Sequence, residues 1–581
     1  MGAIVGVVGE RGGPRVGEVL DRMLGRSPHR GDRVRLDEPG VALGIQTNDR
    51  EASLGGAGPI RVAVHGDLGS RAAVERHLDG EDADDLADAT LLAKAWRSTG
   101  SRVLEDLEGE AAVVVHDRDA GWLWAYRTPT FGRPLFTCVD RGRLLLAGEV
   151  RQLVAGSAEA LAVNVEAATR LALGIGGADD CAMYHGVAAL SPGTLYRWRA
   201  ADPASSPVEE TVWAPPEPLA WSCRTRAEAV ERVRAALDAV IPAAAPDGPF
   251  AVAVSGGLDS ATVWATLARH GRAEPVGWPG GRPFAYGLPG TTSDASWWAW
   301  AVFAATRAEG VLLDLAQVDP FSVAPEVLEP LDHLADPHLL LLDALLAAVA
   351  DDGRPVVLTG EGGDELFTSS DAFLGDELRY GRVDRFLADS LRIVAARGAP
   401  GARAVAREGG RALGLLGATG GRSATDERQS RRVATVRAIG GSAHLAGLDQ
   451  LAARHRLEVR HPLLRQQFAE VVLALPERHL AALRMPKQLL RAAAADRIPP
   501  AVRDAGARSL DGLLAEPARR FAASLATDDW RLVRRGVVGK DWLAALAREA
   551  VAQGWGAGCR SLWRLWLVEQ ALERDQIEVG C

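Results

Sequence analysis

The amino-acid sequence predicts an α/β protein with two domains, a layered α+β domain followed by a larger domain built on a parallel sheet with many helices. Three observations support this prediction. Short apolar or alternating runs crowd the first part of the 581-residue chain. A proline-rich stretch follows at residues 201–221. Beyond it, apolar strand patterns alternate with helical patterns, as they do where crossover helices connect parallel strands.

The first domain is predicted from short strand patterns with helical patterns between them. The predicted strands are 3–8, 40–45, 61–66, 111–116, 121–127 and 143–148. The predicted helices are 15–25, 70–79 and 86–98. Five prolines at 201–221 then indicate a link between domains. We therefore expect one domain at 1–205, a linker at 206–224 and a second domain at 225–581.

The second domain shows the alternation of helix and strand. Its predicted elements are an amphipathic helix at 225–240, a strand at 249–255, a helix at 259–269, a strand at 354–360, and helices at 468–476 and 559–574. The segment 399–429 is rich in Gly, Ala and Arg. This composition fits either a mobile loop or a helix pair with a flexible break.

The net charge, the cysteines and the apolar runs indicate which kinds of partner and which cell compartment the sequence favours. The net charge is −10 and the sequence pI is about 5.7, which disfavours nucleic acid as a partner. The five cysteines are scattered and form no CxxC pair, so neither a zinc site nor a disulfide framework is indicated. The N-terminus has no basic region before its apolar run, and the most apolar stretch, 339–350, is too short for a membrane span. We expect a cytoplasmic protein without membrane contact.

The sharpest motif is SGGLDS at 255–260, directly after an apolar strand. Its two glycines turn the chain into a helix, and a helix N-terminus with close backbone N–H groups binds an anion such as pyrophosphate. Ser255 and Ser260 add hydroxyl donors, and Asp259 can ligate Mg²⁺. No GxxxxGK[ST] pattern occurs, so this is not a Walker loop.

A second glycine-rich turn, TGEGGDELF at 359–367, follows another apolar strand. It carries three carboxylates. Because the carboxyl ends of neighbouring parallel strands meet at one edge of a sheet, Asp364 would face Asp259 across a metal-bound phosphate. The two turns together predict a nucleotide site.

SGGLDS followed by TGEGGDELF resembles the synthetase domain of the class B asparagine synthetase family, ATP-pyrophosphatase-type enzymes that adenylate a carboxylate. Further segments similar to the family are RSPHRGD (26–32), VHGDLGS (64–70), EDLEGEAAVVVHD (105–117), FGRPLF (131–136), LLLAGEVRQLVAG (144–156), LSPGTLYRW (190–198), LEVRHPLL (457–464) and MPKQLLRAA (485–493). The resemblance implies an N-terminal Ntn-hydrolase-like α+β sandwich and a C-terminal ATP-pyrophosphatase-type parallel sheet. It also implies ATP and Mg²⁺ as cofactors.

The resemblance also implies roles for single residues. The implied nucleotide-binding residues are Ser255, Gly256, Gly257, Leu258, Asp259, Ser260, Gly360, Glu361, Gly362 and Asp364. Asp259 and Asp364 would hold Mg²⁺. The implied catalytic residues are Lys487, Glu361 and Glu458, and Lys487 would place an ammonium on the α-phosphate as charge develops there. Arg460 also matches the family, whereas His461 is expected to pack or cap.

Two departures from the family bear on the source of the amine. Its glutaminases carry a cysteine directly after the initiator Met, but this sequence has Gly2, which offers no nucleophile. We therefore expect the glutaminase-like domain to be inactive and the amine to come from the second substrate. The other departure is LLR at 463–465, where asparagine synthetases usually carry an acidic residue. An aspartate-binding pocket is therefore disfavoured.

Family members that take the amine from their own substrate include β-lactam synthetases and lasso peptide cyclases. β-Lactam synthetases carry a tyrosine where this chain has Glu361, and their helical half is usually shorter. We therefore interpret the chain as most like a lasso peptide cyclase, a macrolactam synthetase whose helical C-terminal half and segment 399–429 would hold a precursor peptide. A leader peptidase and a leader-binding protein are expected partners. The alternatives are a β-lactam synthetase-like small-molecule cyclase, an ammonia-dependent asparagine synthetase, and a non-enzymatic ATP-binding scaffold.

Overall fold

The fold is described from a computed structural model of the chain. Outside a few isolated positions, the described residues are 3–9, 16–47, 52–78, 86–158, 184–216, 225–272, 280–291, 293–321, 337–368, 371–379, 381–413, 442–481, 485–506, 511–525, 530–534 and 536–574. Gly2 and residues 414–429 of the Gly/Ala/Arg-rich segment lie outside them.

The N-terminal part contains two six-stranded antiparallel sheets. Their strands are β1 Ala3–Val8, β2 Asp32–Glu38, β3 Val41–Thr47, β4 Ala52–Ala57, β5 Ile60–Gly66, β6 Ala111–Asp117, β7 Trp122–Arg127, β8 Phe136–Asp140, β9 Arg143–Ala147, β10 Val187–Ala189, β11 Thr194–Arg199 and β12 Val208–Thr211. The strand orders are β10-β8-β9-β1-β3-β2 and β12-β11-β7-β6-β5-β4. All six predicted strands are present.

Helices cover the outer faces of both sheets. They are α1 Val16–Gly25, α2 Arg71–Glu75, α3 Asp88–Thr99 and α4 Val150–Gly156. Apolar side chains of α1 and α4 pack on the first sheet and those of α3 on the second, while a separate core fills the space between the sheets. This is a four-layer α+β sandwich, as the sequence predicts. The predicted helix 70–79 is shorter than expected, because only Arg71–Glu75 is helical.

One strand lies inside the segment predicted as linker. Val208–Thr211 pairs antiparallel with β11, from Arg197↔Val208 to Thr194↔Thr211. The second sheet of the sandwich therefore includes residues beyond 205, and its edge strand is made of charged and exposed side chains. That strand carries too little apolar periodicity to be recognised as one from sequence.

The C-terminal part is built on a five-stranded parallel sheet of order β15-β14-β13-β16-β17. Its strands are β13 Phe250–Ala253, β14 Gly281–Gly287, β15 Val311–Asp314, β16 Val356–Leu358 and β17 Glu458–Arg460. The two predicted strands, 249–255 and 354–360, are the neighbours β13 and β16 at the centre of the sheet. The predicted parallel sheet with many helices is therefore confirmed.

The helices of this part surround the sheet and extend beyond it. They are α5 Arg226–Ala244, α6 Leu258–Arg269, α7 Ser296–Thr306, α8 Pro337–Asp351, α9 Gly363–Phe367, α10 Ala372–Arg379, α11 Val383–Arg397, α12 Ala399–Ala412, α13 Ala443–Arg454, α14 Gln466–Ala474, α15 Glu477–Leu480, α16 Gln488–Ala493, α17 Pro500–Arg503, α18 Asp511–Ser524, α19 Arg531–Arg534, α20 Lys540–Gln553 and α21 Ala557–Arg574. A capping box between Thr225 and Glu228 begins α5 close to its predicted start. The first half of the segment 399–429 is helical, because α12 spans Ala399–Ala412.

Buried polar contacts join the N-terminal sandwich to the parallel-sheet part. Asp449 on α13 is fully buried and pairs with two arginines of the sandwich, Arg30 and Arg133, each at 2.8 Å. Within the described ranges, no helix has the length and apolar character needed to cross a bilayer.

Candidate active site

The SGGLDS turn connects β13 to α6. Gly256 has a φ of +73°, and a Cβ there would lie 2.9 Å from the carbonyl oxygen of Ala295, so this position favours glycine. The Ser260 hydroxyl accepts the Ser255 N–H at 3.0 Å, and the Ser255 hydroxyl accepts the Gly257 N–H at 3.3 Å. These bonds hold the turn in the shape that begins α6 at Leu258.

The TGEGGDELF turn leaves the neighbouring strand β16 and packs directly against the first turn. A Cβ on Gly360 would lie 2.4 Å from the Ser260 nitrogen, and one on Gly363 would lie 2.3 Å from Cγ of Asp259. The two turns touch because these positions have no side chain. Gly362 has a φ of +97°, a left-handed conformation that side chains disfavour.

Asp259, Asp364 and Lys487 meet where the turns touch. The Lys487 ammonium pairs with Oδ2 of Asp259 and lies 2.8 Å from Oδ1 of Asp364. Burial raises the pKa of Asp259 to about 6; Lys487 opposes the shift, and the nearby carboxylates Asp364 and Glu361 add to it. The structure therefore brings together the three charged residues that the sequence predicts for the phosphate end of the site.

The donor set at this point fits Mg²⁺. Oδ1 of Asp259 is buried and has no hydrogen-bond partner among the described residues, while the Asp364 side chain is 81% exposed. The described residues contain no group of three or more potential metal-ligating side chains. Mg²⁺ at phosphate sites commonly takes one or two carboxylates and completes its shell with water and substrate phosphates. Asp259 and Asp364 are the residues that would hold it.

Two cavities adjoin this cluster and share Ser255, Asp259, Asp364 and Tyr286 in their walls. One has a volume of about 300 Å³ and is lined by the SGGLDS turn together with Lys487 and Arg491. The other has a volume of about 270 Å³. Its remaining walls are mostly apolar side chains of α8 and α13 and the second glycine turn, including Gly360, Glu361 and Gly362. In the cavity of about 300 Å³, Lys487 and Arg491 make one wall cationic, which suits phosphate groups.

Glu361 lies in the wall of the second cavity, with His444 beside it. The two side chains approach to 3.4 Å between Nε2 and Oε1. Burial alone would raise the pKa of Glu361, but the hydrogen bond with His444 and the attraction of nearby basic groups, Lys487 among them, outweigh it and hold that pKa below its ordinary value. Glu361 therefore stays ionised at neutral pH, and an ionised carboxylate can orient an amine or accept its proton.

The structure does not bring Glu458 into this site. On β17, Glu458 and Arg460 point to one face of the sheet and pair with each other, and only Val459 between them lines a cavity. The expectation that Glu458 acts in catalysis is therefore not supported by its position. His461 is fully buried and packs edge-on against Phe131, as expected for a packing histidine.

Sequence reasoning missed Arg491, Tyr286, His444 and Thr359, which also line the cavities. Arg491 follows Lys487 by four residues, and this helical spacing could have identified it. Tyr286 lies on β14, beside β13, in a strand that was not predicted. Thr359 begins the TGEGGDELF motif, so its place in the sequence could have identified it. His444 belongs to no recognisable chemical pattern, so only the fold reveals it.

Comparisons with known proteins identify related sequences. The family described as asparagine synthase matches residues 232–573, and the glutamine amidotransferase domain family matches residues 62–208. "Amidase chyE" of Penicillium rubens is 27% identical over 386 residues, covering 62% of this chain and 56% of its own length. The chain therefore spans little more than half the length of this relative.

Among solved structures, the glutamine phosphoribosylpyrophosphate amidotransferase of B. subtilis is 11% identical with a TM-score of 0.27, over 51% of this chain and 75% of its own. A structure of the allosteric regulatory enzyme of purine biosynthesis is also 11% identical, with a TM-score of 0.26, over 54% of this chain and 80% of its own. The asparagine synthase match covers more than half of the 581 residues. The chain belongs to the asparagine synthase family.

Proposed function

We propose that this protein is an ATP-dependent amide ligase that closes a macrolactam ring within a peptide, as lasso peptide cyclases do. The asparagine synthase match supports ATP-dependent formation of an amide bond in general. The observation that carries the proposal is the cluster of Asp259, Lys487 and Asp364 between a cationic cavity and a cavity lined by Glu361. Gly2, where a glutaminase needs cysteine, supports an amine supplied by the substrate itself.

The proposed reaction has two steps. An Asp or Glu side-chain carboxylate of the peptide attacks the α-phosphorus of ATP, and pyrophosphate leaves. The N-terminal amine of the same peptide then attacks the activated carbonyl carbon, AMP leaves, and the amine nitrogen loses a proton. The peptide loses one water in total, and ATP becomes AMP and pyrophosphate.

The residues of one cavity serve the first step of this reaction, and those of the other cavity serve the second. Lys487 and Arg491 face the cavity in which negative charge grows on the departing pyrophosphate. The glycine turns allow phosphate oxygens to approach backbone N–H groups. Mg²⁺ bound by Asp259 and Asp364 would supply further positive charge there. Glu361, ionised beside His444, can orient the attacking amine and accept its proton.

A peptide substrate requires a surface outside the cavities. Ser293 and Ala295 line the cationic cavity, and α7 begins at the next residue. Trp297 and Trp300 on that helix are 55% and 60% exposed, and their spacing places both on one helix face. Exposed tryptophans are characteristic of binding surfaces. We propose that this face contacts the peptide as it enters, and that a leader peptidase and a leader-binding protein deliver the substrate.

Mass spectrometry tests the proposed reaction. The protein is incubated with a leader-free core peptide, Mg²⁺ and ATP, with and without added glutamine or ammonia. We expect the peptide to lose one water, AMP to form in equal amount, and glutamine and ammonia to have no effect. Asparagine formed from aspartate and ammonia would instead indicate an asparagine synthetase. A small-molecule lactam would indicate the β-lactam branch, and ATP binding without any turnover would indicate a scaffold.

A further inference from the structure

A series of buried hydrogen bonds, made by side chains and backbone groups, leads from the N-terminal sandwich to the loop that carries Glu361. Glu110, directly before β6, is 1% exposed, and its Oε1 accepts the backbone N–H of His461 at 2.6 Å. Nδ1 of His461 lies 2.7 Å from the Thr359 hydroxyl. That hydroxyl accepts the Glu361 N–H at 3.3 Å. This series of hydrogen bonds therefore ends on the backbone of Glu361, a residue of the cavity wall.

Because these hydrogen bonds are buried, losing any one of them is costly. The His461 ring is fully buried and Thr359 is nearly so, so water cannot replace a lost partner without cost. Burial lowers the pKa of His461 to about 3, so the ring is neutral at working pH and brings no charge between the carboxylates Glu110 and Glu361. Neutral imidazole can serve as either partner in its bond to the hydroxyl.

Further contacts near Glu110 also join the N-terminal sandwich to the parallel-sheet part. Arg133 of the sandwich donates to the Val459 carbonyl at 2.7 Å, on the strand that precedes His461. Thr130 donates to the carbonyl of Leu464, and Arg465 pairs with Asp67. Thr359 in turn donates its backbone N–H to the Arg460 carbonyl at 3.0 Å. The sandwich thus supports both sides of the point where Glu110 reaches the parallel-sheet part.

We infer that Glu110 is a positioning residue for Glu361, acting through His461 and Thr359, and that the N-terminal sandwich is a working part of the ligase site. The inference rests on the proposed function, in which Glu361 orients the attacking amine. Loss of a link would let Glu361 drift without disturbing the cationic cavity around Lys487. It would therefore lower kcat for ring closure and leave the KM for ATP nearly unchanged.

Paired substitutions in the full chain test this inference. Thr359→Val removes the hydroxyl at nearly constant shape, and Thr359→Ser keeps it. Glu110→Leu removes the acceptor, and Glu110→Gln keeps a carbonyl oxygen at the same place. We expect Thr359→Val and Glu110→Leu to lower kcat by roughly tenfold, as one lost buried hydrogen bond predicts. The serine and glutamine variants should stay within about threefold of wild type, with the KM for ATP constant throughout.

A second measurement separates this inference from the proposed function. Hydrogen–deuterium exchange at the backbone amide of Glu361 should be faster in Thr359→Val and Glu110→Leu than in the wild type or the conservative variants, whether or not the enzyme is active. Equal exchange and equal kcat in all variants would overturn the inference. So would equal losses in the valine and serine variants, because the hydroxyl would then be irrelevant. A wild type that forms no amide with ATP would refute the proposed function alone.

Discussion

At the scale of single residues, Lys487 sets the charge balance of the candidate site. Burial alone would lower the pKa of its ammonium, but Asp259 and Asp364 outweigh that effect and raise it. Lys487 therefore remains charged. It adopts a left-handed backbone conformation with a φ of +58°, which is uncommon for a residue with a side chain. That conformation places it at the N-terminal end of α16, where its side chain reaches both carboxylates.

We expect Lys487→Met to lower kcat by ~10²-fold or more and to change the KM for ATP much less, because the ammonium meets most charge as pyrophosphate departs. Steady-state kinetics with ATP as the varied substrate measure both constants. Lys540→Met, at the start of α20, is the matched control and should behave as wild type. A raised KM with unchanged kcat would reduce Lys487 to a binding residue.

At the scale of elements, the strands that were not predicted are informative. β2, β4, β10 and β12 are the edge strands of the two N-terminal sheets, and none of them was predicted. Edge strands tolerate charge and glycine because one side faces solvent. β2 reads DRVRLDE and is mostly exposed, and β4 reads ASLGGA. Periodicity detects a strand by its buried face, so these four edges gave no recognisable pattern. The interior strands β8 and β11 were not predicted either.

The exposed face of α7 carries a prediction at this scale. Replacing both Trp297 and Trp300 by alanine should raise the KM for the peptide by about tenfold or more, because aromatic anchors supply much of the energy of such contacts. The KM for ATP should stay constant. Trp542→Ala, 39% exposed on α20, is the control. An unchanged peptide KM in the double variant would place the peptide surface elsewhere.

At the scale of the whole molecule, buried ion pairs join the two parts of the chain. Asp449 lies between Arg30 and Arg133, and Arg30 also binds Glu149. Burial would raise the pKa of Asp449, but the two guanidinium groups outweigh it and lower the pKa to about 2. The folded state therefore binds a proton at Asp449 less readily than the unfolded state does. Its contribution to stability is present above pH 4 and is lost as the pH falls towards 2.

We expect Asp449→Asn to lower the free energy of unfolding by about 3–5 kcal/mol at pH 7, because two buried arginines lose their shared counter-charge. The variant should also lose less further stability than the wild type between pH 5 and pH 3. Urea unfolding across this range measures both effects. Asp504→Asn, which breaks an exposed pair with Arg503, is the control and should change little. If the free energy of unfolding changed with pH equally in wild type and Asp449→Asn, the proposed role of the Asp449 charge would be contradicted.

The fold class and most of the phosphate end of the site could be predicted from the sequence. Two apolar strands, each ending in a glycine-rich turn, were enough to predict that Asp259 and Asp364 meet, since neighbouring parallel strands end at the same edge of a sheet. The resemblance to a known family then added Lys487. These features are local in sequence, or follow from a rule of topology.

Which side chains face the cavities from more distant elements depends on the packing of the folded chain. Glu458 turns away from the site because side chains alternate along a strand, and the pairing of β17 with β16 points Val459 towards the cavity instead. Glu110 reaches His461 across 351 positions of the chain. No local pattern encodes such a contact, because it depends on how two separately folded sheets pack together. The physical link between the sandwich and the site therefore became visible only in three dimensions.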